Sequence, residues 1–179
     1  MKLSAKQMLK FFLPFIAVVA LFAVVLIWQA GLFEQPELKV ESRDPVLYIY
    51  LEEQGPYSQI IRAKKELDQA LADLGVKGLI PCIVYLNDLA TTETNRLRWQ
   101  IGMTVRDSVR VSEPVKLGRI PGGKFIVATI HAHPAVAAQK TFPALNRWLR
   151  DNKQSITGAA VEYHLPDGWV EAMFPIGKE

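Results

Sequence analysis

The sequence has few of the residues that build disulfides and metal sites: among 179 residues there are one cysteine and three histidines. The lone cysteine, Cys82, cannot form an intrachain disulfide, and its apolar neighbours are typical of a buried strand. His131 and His133 are two residues apart and would share one face of a strand. A metal site needs at least one further ligand, which the neighbouring sequence does not supply. The sequence therefore predicts neither a metal site nor a cofactor.

Several nucleotide-binding and hydrolase motifs are also lacking. The glycines in GRIPGG, residues 118–123, come before a predicted strand, and no Lys-Ser or Lys-Thr pair follows them, so they do not form a phosphate-binding loop. The sequence contains no nucleophile elbow and no helix-turn-helix. These absences argue against a serine hydrolase of the common kind and against a DNA-binding regulator.

The net charge of +3 resides at one end of the chain. Lys2, Lys6 and Lys10 account for all of it, so the rest of the chain carries equal numbers of basic and acidic residues. A neutral domain lacks the basic surface that nucleic-acid binding requires. We therefore expect no nucleic-acid partner.

Residues 11–28, FFLPFIAVVALFAVVLIW, form a long apolar run. At about 1.5 Å per residue this uncharged segment extends roughly 27 Å, close to the hydrocarbon thickness of a bilayer. Basic residues precede the run and acidic residues follow it, so the positive-inside rule places residues 1–10 in the cytoplasm and the bulk of the chain outside it. The sequence thus predicts a single-pass membrane protein, with a linker at residues 29–45 and one domain at residues 46–179.

A cleaved secretory signal is the alternative to a membrane anchor. Its apolar core is usually about 7–15 residues long, and a small-x-small cleavage site follows it. Ala30 and Gly31 do not complete that pattern. We favour an uncleaved anchor, and both interpretations place the domain outside the cytoplasm.

Two stretches of the domain share one order of predicted elements: strand, helix, strand and strand. Pro56 and Tyr85 are 29 residues apart, and so are Pro134 and Tyr163. We interpret this spacing as an internal repeat of two β-α-β-β units. Two such units predict an α+β fold, in which an antiparallel sheet carries both helices on one face.

The two predicted helices differ in how clearly the sequence marks them. The first helix has an apolar stripe that includes Ile60, Leu67 and Leu74, and Gly75 is a suitable C-cap. The second helix contains Pro143, which removes a backbone donor. We expect it either to begin near Thr141, with the proline in its first turn, or to kink at the proline.

Both units end on a strand of the form Trp-x-x-x-Met, WQIGM from Trp99 and WVEAM from Trp169. Because side chains alternate along a strand, Trp169, Glu171 and Met173 share one face, and the small or apolar residues between them suit the face beneath the helices. By the repeat, Trp99 is expected beside Trp169 on the open face. An open face with this much apolar area is either covered or binds a ligand.

These motifs together resemble the GyrI-like small-molecule-binding family, whose domain is also the effector-binding part of multidrug-responsive transcription regulators. The resemblance covers roughly residues 46–175 and rests on EEQGPYSQI, RIPGGKFIVATIHAHP, LNRWL, VEYH and VEAMFPI. It implies two β-α-β-β repeats with a ligand cleft on the open side of the sheet. A cleft glutamate on the family's last strand attracts cationic aromatic ligands, and that glutamate falls on Glu171.

The sequence departs from the family pattern in two places. The family turn favours glycine before proline, whereas this sequence has His133 there. An N-terminal membrane anchor is not part of the basic pattern either. Some relatives hydrolyse cyclopropane-bearing genotoxins with the cleft glutamate and a tyrosine, which makes hydrolysis an alternative activity.

The resemblance and the strand pattern together predict a ligand site around Glu171. A carboxylate that is partly desolvated among aromatic rings is costly unless it is paired, so a bound cation would recover that cost. Aromatic faces add cation–π attraction. The predicted ligand-binding residues are Glu171, Trp169, Trp99, Tyr57, Tyr163 and Met173. The ordinary alternatives are a solvent-facing Glu171 and tryptophans that pack in the core.

Four functions remain open at this point. The leading one is a membrane-anchored binding protein for amphipathic, cationic aromatic small molecules. The second is a hydrolase of strained electrophiles, with Glu171 activating water. The third is a protein-interaction module whose flat sheet face docks another envelope protein. A haem-binding domain with His131 or His133 as axial ligand is the most distant alternative.

Overall fold

The structure is a computed structural model, and it describes residues 5–88 and 91–177. Residues 1–4, which belong to the predicted cytoplasmic segment, lie outside the described residues. Within the described ranges the helices are α1 (Ala5–Gln29), α2 (Ile60–Asp73) and α3 (Pro134–Asn152). The strands are β1 (Glu37–Arg43), β2 (Val46–Gln54), β3 (Pro81–Tyr85), β4 (Arg98–Val105), β5 (Lys116–Ile120), β6 (Gly123–His131), β7 (Ser155–Ile156), β8 (Ala160–His164) and β9 (Trp169–Gly177).

Eight of these strands form one antiparallel sheet in the order β1-β6-β9-β8-β3-β4-β2-β5, and the short β7 pairs with β9. Both α2 and α3 pack on the same face of the sheet. Ala63, Leu67 and Leu71 of α2 join a core with the second, third and fourth strands, and Leu145 and Leu149 of α3 join a core with the sixth and ninth. The predicted α+β architecture, with both helices on one face, is confirmed.

The repeat is visible in the boundaries of the strands. A two-fold axis at the centre of the sheet, where β3 pairs with β8, carries β2 onto β6 and β3 onto β8 with matching lengths, and it carries β4 onto β9. The axis brings Ile83 onto Glu162, because these two residues face each other in the β3–β8 pair. We call the part from β1 to β4 the N-terminal repeat and the part from β5 to β9 the C-terminal repeat.

The first strand of each repeat pairs with the other repeat. Strand β1 pairs with β6, and β5 pairs with β2, so the repeats exchange their edge strands. Strand β1 lies inside the predicted linker at residues 29–45, whose second half is therefore part of the sheet. The missed strand reads ELKVESR, and its charged side chains are typical of a sheet edge rather than of a half-buried strand.

Two short links draw the ends of the sheet together. Asp44 and Pro45 connect β1 to β2, and Pro121 and Gly122 connect β5 to β6, although the joined strands lie toward opposite ends of the sheet order. The links touch each other, since a Cβ on Gly122 would lie 2.8 Å from Pro45 Cδ and 2.9 Å from the Arg43 carbonyl oxygen. The sheet therefore curls, and the face opposite the helices becomes concave.

Of the two alternatives predicted for helix α3, a start near Thr141 is wrong. The helix starts at Pro134, and Pro143 lies inside it. The reason is the cap: His133 has an extended backbone and its side chain accepts a hydrogen bond from the Ala135 amide, while a proline at the first helical position needs no amide partner.

The expected position of Trp99 is wrong by one residue of register. The two-fold axis matches Arg98 with Trp169, Trp99 with Val170 and Gln100 with Glu171. A shift of one residue moves a side chain to the other face of a strand. Trp99 is 1% exposed in the core beneath α2, whereas Glu171 faces the concave side.

The apolar run at residues 11–28 lies within α1. Across the part of the chain that the structure describes, no helix combines the length and the apolarity that a membrane span requires. The predicted transmembrane helix is therefore not supported by the structure.

Candidate functional site

A cavity of about 300 Å³ opens on the concave face beside Glu171. We call it the Glu171 cavity. Strands from both repeats and both links contribute to its wall: Arg43, Asp44, Val46, Ile80, Thr104, Ile120, Pro121, Phe125, Tyr163, Leu165, Glu171 and Met173. The wall is mostly apolar, with few polar groups, which is the usual composition of a small-molecule site.

Glu171 is held at this cavity by its strand and by one cation. It pairs with Thr129 of β6 and with Tyr163 of β8, and its side chain is only 16% exposed. Arg43 Nη2 lies 3.4 Å from Glu171 Oε1 and 3.3 Å from Oε2. The same Arg43 nitrogen is closer to Glu41 Oε2, at 2.9 Å. Arg43 is therefore shared between two carboxylates, and its contacts with Glu171 are long.

Tyr163 brings an unsatisfied hydroxyl to the same cavity. The residue is 8% exposed, and its buried hydroxyl has no hydrogen-bond partner among the described residues. Burial raises the pKa of the phenol, and the nearby Cys82 and Glu171 raise it further, so the group remains protonated at neutral pH. A buried hydroxyl without a partner is costly, and a bound ligand would supply the missing acceptor or donor.

A second cavity, of about 410 Å³, lies on the other side of the links. We call it the Gln100 cavity; its wall includes Tyr48, Val84, Gln100, Arg119, Lys124 and Val161, together with Ile120, Pro121 and Phe125. Gln100 is the residue that the two-fold axis matches with Glu171. Here the tyrosine is satisfied, because the Tyr48 hydroxyl donates to Gln100 Oε1 at 2.5 Å.

Tyr48 lies flat on the sheet because the residue beneath it has no side chain. A Cβ on Gly102 would be 2.8 Å from Tyr48 Cδ2 and 2.8 Å from the Ile49 carbonyl oxygen. Such contacts are far shorter than ordinary van der Waals distances. Gly102 therefore sets the position of the Tyr48 ring, and with it the direction of the hydroxyl toward Gln100.

The structure brings some of the predicted site residues together and separates others. Glu171 and Met173, which strand alternation placed on one face, line one cavity together with Tyr163 of the neighbouring strand. Trp169 lies at the start of β9, 45% exposed, and packs edge-on against His131 with ring centroids 5.3 Å apart, outside the cavity wall.

Trp99 and Tyr57 lie on the other side of the sheet. Their rings are 5.8 Å apart, beneath α2, and Trp99 Nε1 donates to the Gly55 carbonyl oxygen at 3.2 Å. The Trp99 side chain is thus fully used in packing and in one hydrogen bond. Neither residue contributes to the wall of the Glu171 cavity.

Three polar residues on the concave face were not predicted from the sequence. Arg43 lay in the predicted linker, no face was assigned to the strand that contains Tyr48, and the face of the Gln100 strand was assigned through the incorrect register. Strand alternation alone was a usable signal, because Tyr48 and Gln100 are both one residue away from clearly core-facing positions, Ile49 and Ile101.

A different carboxylate is buried beneath the helices. Glu162 is 0% exposed; Tyr85 Oη donates to its Oε2 at 3.2 Å, and His164 Nε2 lies 2.7 Å from its Oε1. Burial and the Glu162 carboxylate raise the pKa of the Tyr85 phenol well above its usual range. Glu162 is thus a satisfied core group, and it faces away from both cavities of the concave side.

The two histidines considered as metal or haem ligands make local hydrogen bonds. His131 Nε2 lies 2.8 Å from the Asp167 carbonyl oxygen, and His133 caps α3. A cavity of about 670 Å³ lies beside the C-terminal end of α3, with Asn146, Arg150 and Gln154 in its wall. It is on the helix side of the sheet, away from Glu171.

The model of the family described as GyrI-like small molecule binding domain matches residues 36–174. This range includes nearly the whole of the sheet and both of its helices. The chain belongs to the GyrI-like family. This membership makes the domain a small-molecule-binding domain, the same type that serves multidrug-responsive regulators. No curated protein sequence matches the chain.

Several solved structures share the fold. The C-terminal domain of EcmrR superposes with a TM-score of 0.68 at 16% identity, over 80% of this chain and 99% of that chain. SAV2435, solved bound to tetraphenylphosphonium, gives a TM-score of 0.59 at 12% identity, over 79% and 94%. A hydrolase from Listeria innocua gives 0.55 at 10% identity, over 80% and 93%. At these identities the likeness concerns the fold.

Proposed function

We propose that the protein binds amphipathic cationic aromatic molecules in the Glu171 cavity, with Glu171 as the charge partner. The single observation that carries this proposal is the state of the polar groups in the wall. Glu171 has only a long, shared ion pair, and the Tyr163 hydroxyl beside it has no partner among the described residues. Both groups gain a partner when a cation with a polar substituent enters.

The surroundings of these two groups suit an apolar cation. Phe125, Met173 and Leu165 provide apolar walls, so a bound aromatic ring is removed from water while its charge meets the carboxylate. The low local dielectric strengthens the attraction between the two charges relative to bulk water. A neutral ligand of the same shape would leave Glu171 with Arg43 alone.

Titration of the full chain with tetraphenylphosphonium tests the proposal. We expect saturable binding, measured by isothermal titration calorimetry, and a loss of about tenfold to hundredfold in affinity for Glu171→Gln, since two unit charges about 4–6 Å apart attract each other by roughly 3–4 kcal/mol at an effective dielectric constant of about 20, and desolvation offsets part of this. Glu66→Gln on α2 makes the same chemical change on the opposite side of the sheet and serves as the control. Wild-type affinity in Glu171→Gln would refute the role of this glutamate.

Arg43→Gln is a second variant, and it is expected to change the affinity for tetraphenylphosphonium in the opposite direction. The Arg43 guanidinium competes with a ligand cation for Glu171, although it is also held by Glu41. We expect Arg43→Gln to bind tetraphenylphosphonium up to about fivefold more tightly, the range of a weak, partly exposed ion pair. Weaker binding in Arg43→Gln would show that the arginine supports the site instead of occupying it.

Hydrolysis of strained electrophiles is the second candidate function, and the Tyr163 hydroxyl favours it. Tyr163 and Glu171 face each other on adjacent strands, so a carboxylate to activate water and a protonated phenol to donate a proton line one cavity. We expect a cyclopropane-bearing electrophile to be consumed by wild type and not by Glu171→Ala or Tyr163→Phe. Retained tetraphenylphosphonium binding in Tyr163→Phe would separate lost chemistry from lost binding, and a wild-type rate equal to that of buffer would exclude hydrolysis of that compound.

The protein-interaction alternative expected a flat open face. The concave, cavity-bearing face that the curled sheet presents does not favour it. Competition between a partner protein and tetraphenylphosphonium for binding to the wild-type protein would favour that alternative.

We also propose that α1 attaches the domain to a membrane, with the N-terminus cytoplasmic and the domain outside the cytoplasm. The support is the exposure of apolar side chains along α1, among them Leu13, Phe22 and Trp28, and the lysines that precede the run. We expect the full chain to leave the membrane fraction only in detergent. Val18→Arg combined with Phe22→Arg should release it, since a central charge costs about 2.5–3.5 kcal/mol, whereas Gln35→Arg should not. A wild-type chain in the aqueous fraction would contradict this attachment.

A further inference from the structure

The segment that joins α1 to the domain is fixed to the beginning of α3. The His133 amide donates to the Ala30 carbonyl oxygen at 3.1 Å. Lys140 Nζ donates to the carbonyl oxygens of Leu32 and Glu34. These hydrogen bonds determine where on the surface of the domain α1 ends, and we call residues 30–34 the docked segment.

Gly31 lets the docked segment lie directly against the end of β6. Its φ is +74°, which favours glycine, and a Cβ here would lie 2.6 Å from Ala132 Cβ and 2.6 Å from the His131 carbonyl oxygen. By contrast, every side chain that the structure describes on α1 is exposed. Helix α1 therefore does not pack on the domain, and the surface around Gly31 is the part of the domain nearest to the end of the helix.

Exposed aromatic side chains cluster around this junction. Trp28 precedes the docked segment and Phe33 lies within it, and both are exposed. Among the described residues from 35 to 177, Trp169 is the only aromatic residue that is exposed, and its ring packs against the His131 ring with centroids 5.3 Å apart. This is the histidine whose carbonyl oxygen Gly31 approaches. Tryptophan is enriched at the membrane–water interface, where its ring meets apolar chains and its N–H meets water.

Trp169 also lies beside the Glu171 cavity. Its carbonyl oxygen accepts a hydrogen bond from the Leu165 amide at 2.8 Å, and Leu165 is part of the cavity wall. Glu171 follows two residues later on the same face of β9, roughly 7 Å along the strand. A surface that contacts Trp169 is therefore next to the cavity.

We propose that this end of the domain rests on the surface of the bilayer that α1 enters, so that the Glu171 cavity lies beside the lipid headgroups. This inference rests on the proposed attachment of α1 to a membrane, and it adds the orientation of the domain. The exposed apolar side chains of α1 end at the same surface that carries Trp169, which makes the lipid bilayer the occupant of that surface. The cavity is then next to the interfacial layer into which amphipathic molecules partition.

Site-specific labelling measures how close the domain lies to the bilayer. The full chain is reconstituted in phosphatidylcholine vesicles, and the environment-sensitive dye NBD is attached to Trp169→Cys. Asp151→Cys, exposed near the other end of α3 and roughly 26 Å from Pro134, is the matched control. We expect lipids with a nitroxide on the headgroup to quench the dye several-fold more strongly in Trp169→Cys than in Asp151→Cys. Wild type gives the background labelling, since Cys82 is buried.

Two further changes test the contact and its cause. Pro166→Cys, in the exposed turn before β9, keeps Trp169 in place and should be quenched as strongly as Trp169→Cys. An insertion of about eight glycine and serine residues between Gln29 and Ala30 leaves the docked segment on the domain but separates it from α1 by roughly 16 Å of flexible chain. We expect this insertion to keep the chain on the vesicles and to lower the quenching in Pro166→Cys to that in the control variant.

The outcomes distinguish this inference from the proposals made above. Equal quenching in Trp169→Cys, Pro166→Cys and Asp151→Cys, on a chain that floats with the vesicles, would overturn the orientation alone. A wild-type chain that stays in the aqueous fraction would overturn the attachment of α1 and this inference with it. Quenching that the insertion does not lower would overturn the role of the docked segment. Binding of tetraphenylphosphonium to the chain in detergent does not depend on the orientation, so it tests the ligand site separately.

Discussion

The Glu171 cavity and the Gln100 cavity occupy equivalent places in the two repeats, yet their polar groups are in different states. In the N-terminal repeat the tyrosine hydroxyl and the amide satisfy each other, since Tyr48 donates to Gln100. In the C-terminal repeat the hydroxyl of Tyr163 has no partner among the described residues, and Glu171 has only the shared Arg43. The concave face thus has one polar pair that is hydrogen-bonded without a ligand, Tyr48 with Gln100, and one pair, Tyr163 and Glu171, that is not.

This difference shows how a symmetric scaffold acquires an asymmetric site. The fold needs Tyr48 and Gln100 only to fill the concave face without leaving buried polar groups unpaired. Tyr163 and Glu171 carry a cost in the unliganded protein, and a ligand removes that cost. A different asymmetry lies beneath the helices, where the two-fold axis matches the apolar Ile83 with the satisfied carboxylate of Glu162.

The largest expected effect follows from making the buried pair beneath the helices symmetric. Ile83→Glu places a second carboxylate directly opposite Glu162, whose oxygens are already occupied by Tyr85 and His164. An unpaired buried carboxylate beside another one should destabilise the fold by at least about 3 kcal/mol. Urea denaturation followed by circular dichroism measures the change.

Ile83→Val is the matched control for this substitution. It removes one methylene from the same position and should cost only about 0.5–1.5 kcal/mol. If Ile83→Glu proved as stable as Ile83→Val, the strand pairing that places Ile83 against Glu162 would be incorrect.

A smaller effect on stability is expected when the hydroxyl of either tyrosine on the concave face is removed. Tyr48→Phe removes a hydroxyl that donates to Gln100 and should cost about 1 kcal/mol, because the amide oxygen loses its partner. Tyr163→Phe removes a buried hydroxyl without a partner and should be neutral or slightly stabilising. Thermal denaturation of both variants without ligand measures the difference. An equal loss of stability in the two would mean that both hydroxyls are satisfied.

The most gradual expected effect is a loss of stability in alkali. Burial raises the pKa of Tyr48, Tyr85 and Tyr163 above the ordinary value of about 10, so the folded chain binds these protons more tightly than the unfolded chain. Their contribution to stability is complete below about pH 10 and declines as the pH rises above it, where the unfolded state alone loses protons. Melting temperatures between pH 8 and pH 11 should therefore fall above about pH 10, and fall less in Tyr48→Phe. A melting temperature that stays level above pH 10 would argue against buried phenols.

The elements whose signals are local were predictable from the sequence. The stripe of Leu67 and Leu71 marked α2, and the equal spacing of the prolines and tyrosines marked the repeat. The position of Glu171 and Met173 on one face followed from strand alternation, and the structure brings both to one cavity, with Tyr163 beside them. That a ligand is the charge partner of Glu171 stays a prediction.

The features that depend on long-range pairing were not predictable in the same way. The exchange of β1 and β5 between the repeats leaves no local pattern, so Arg43 was assigned to a linker. The match of Trp99 with Trp169 followed identical letters, whereas the pairing of the strands matches Trp99 with Val170. Identity of side chains is a poor guide to register, because one residue of slip exchanges the two faces of the sheet.

The exchanged edge strands also determine the order in which the chain folds as it is synthesised. Strand β1 is made first, but its partner β6 is completed only after about ninety further residues, from Arg43 to His131. At roughly 5–20 residues per second, β1 remains without a partner for about 4–18 s. Its charged sequence, ELKVESR, keeps an unpaired strand from joining other chains during that interval. The ribosome must therefore deliver nearly the whole domain before the sheet can close.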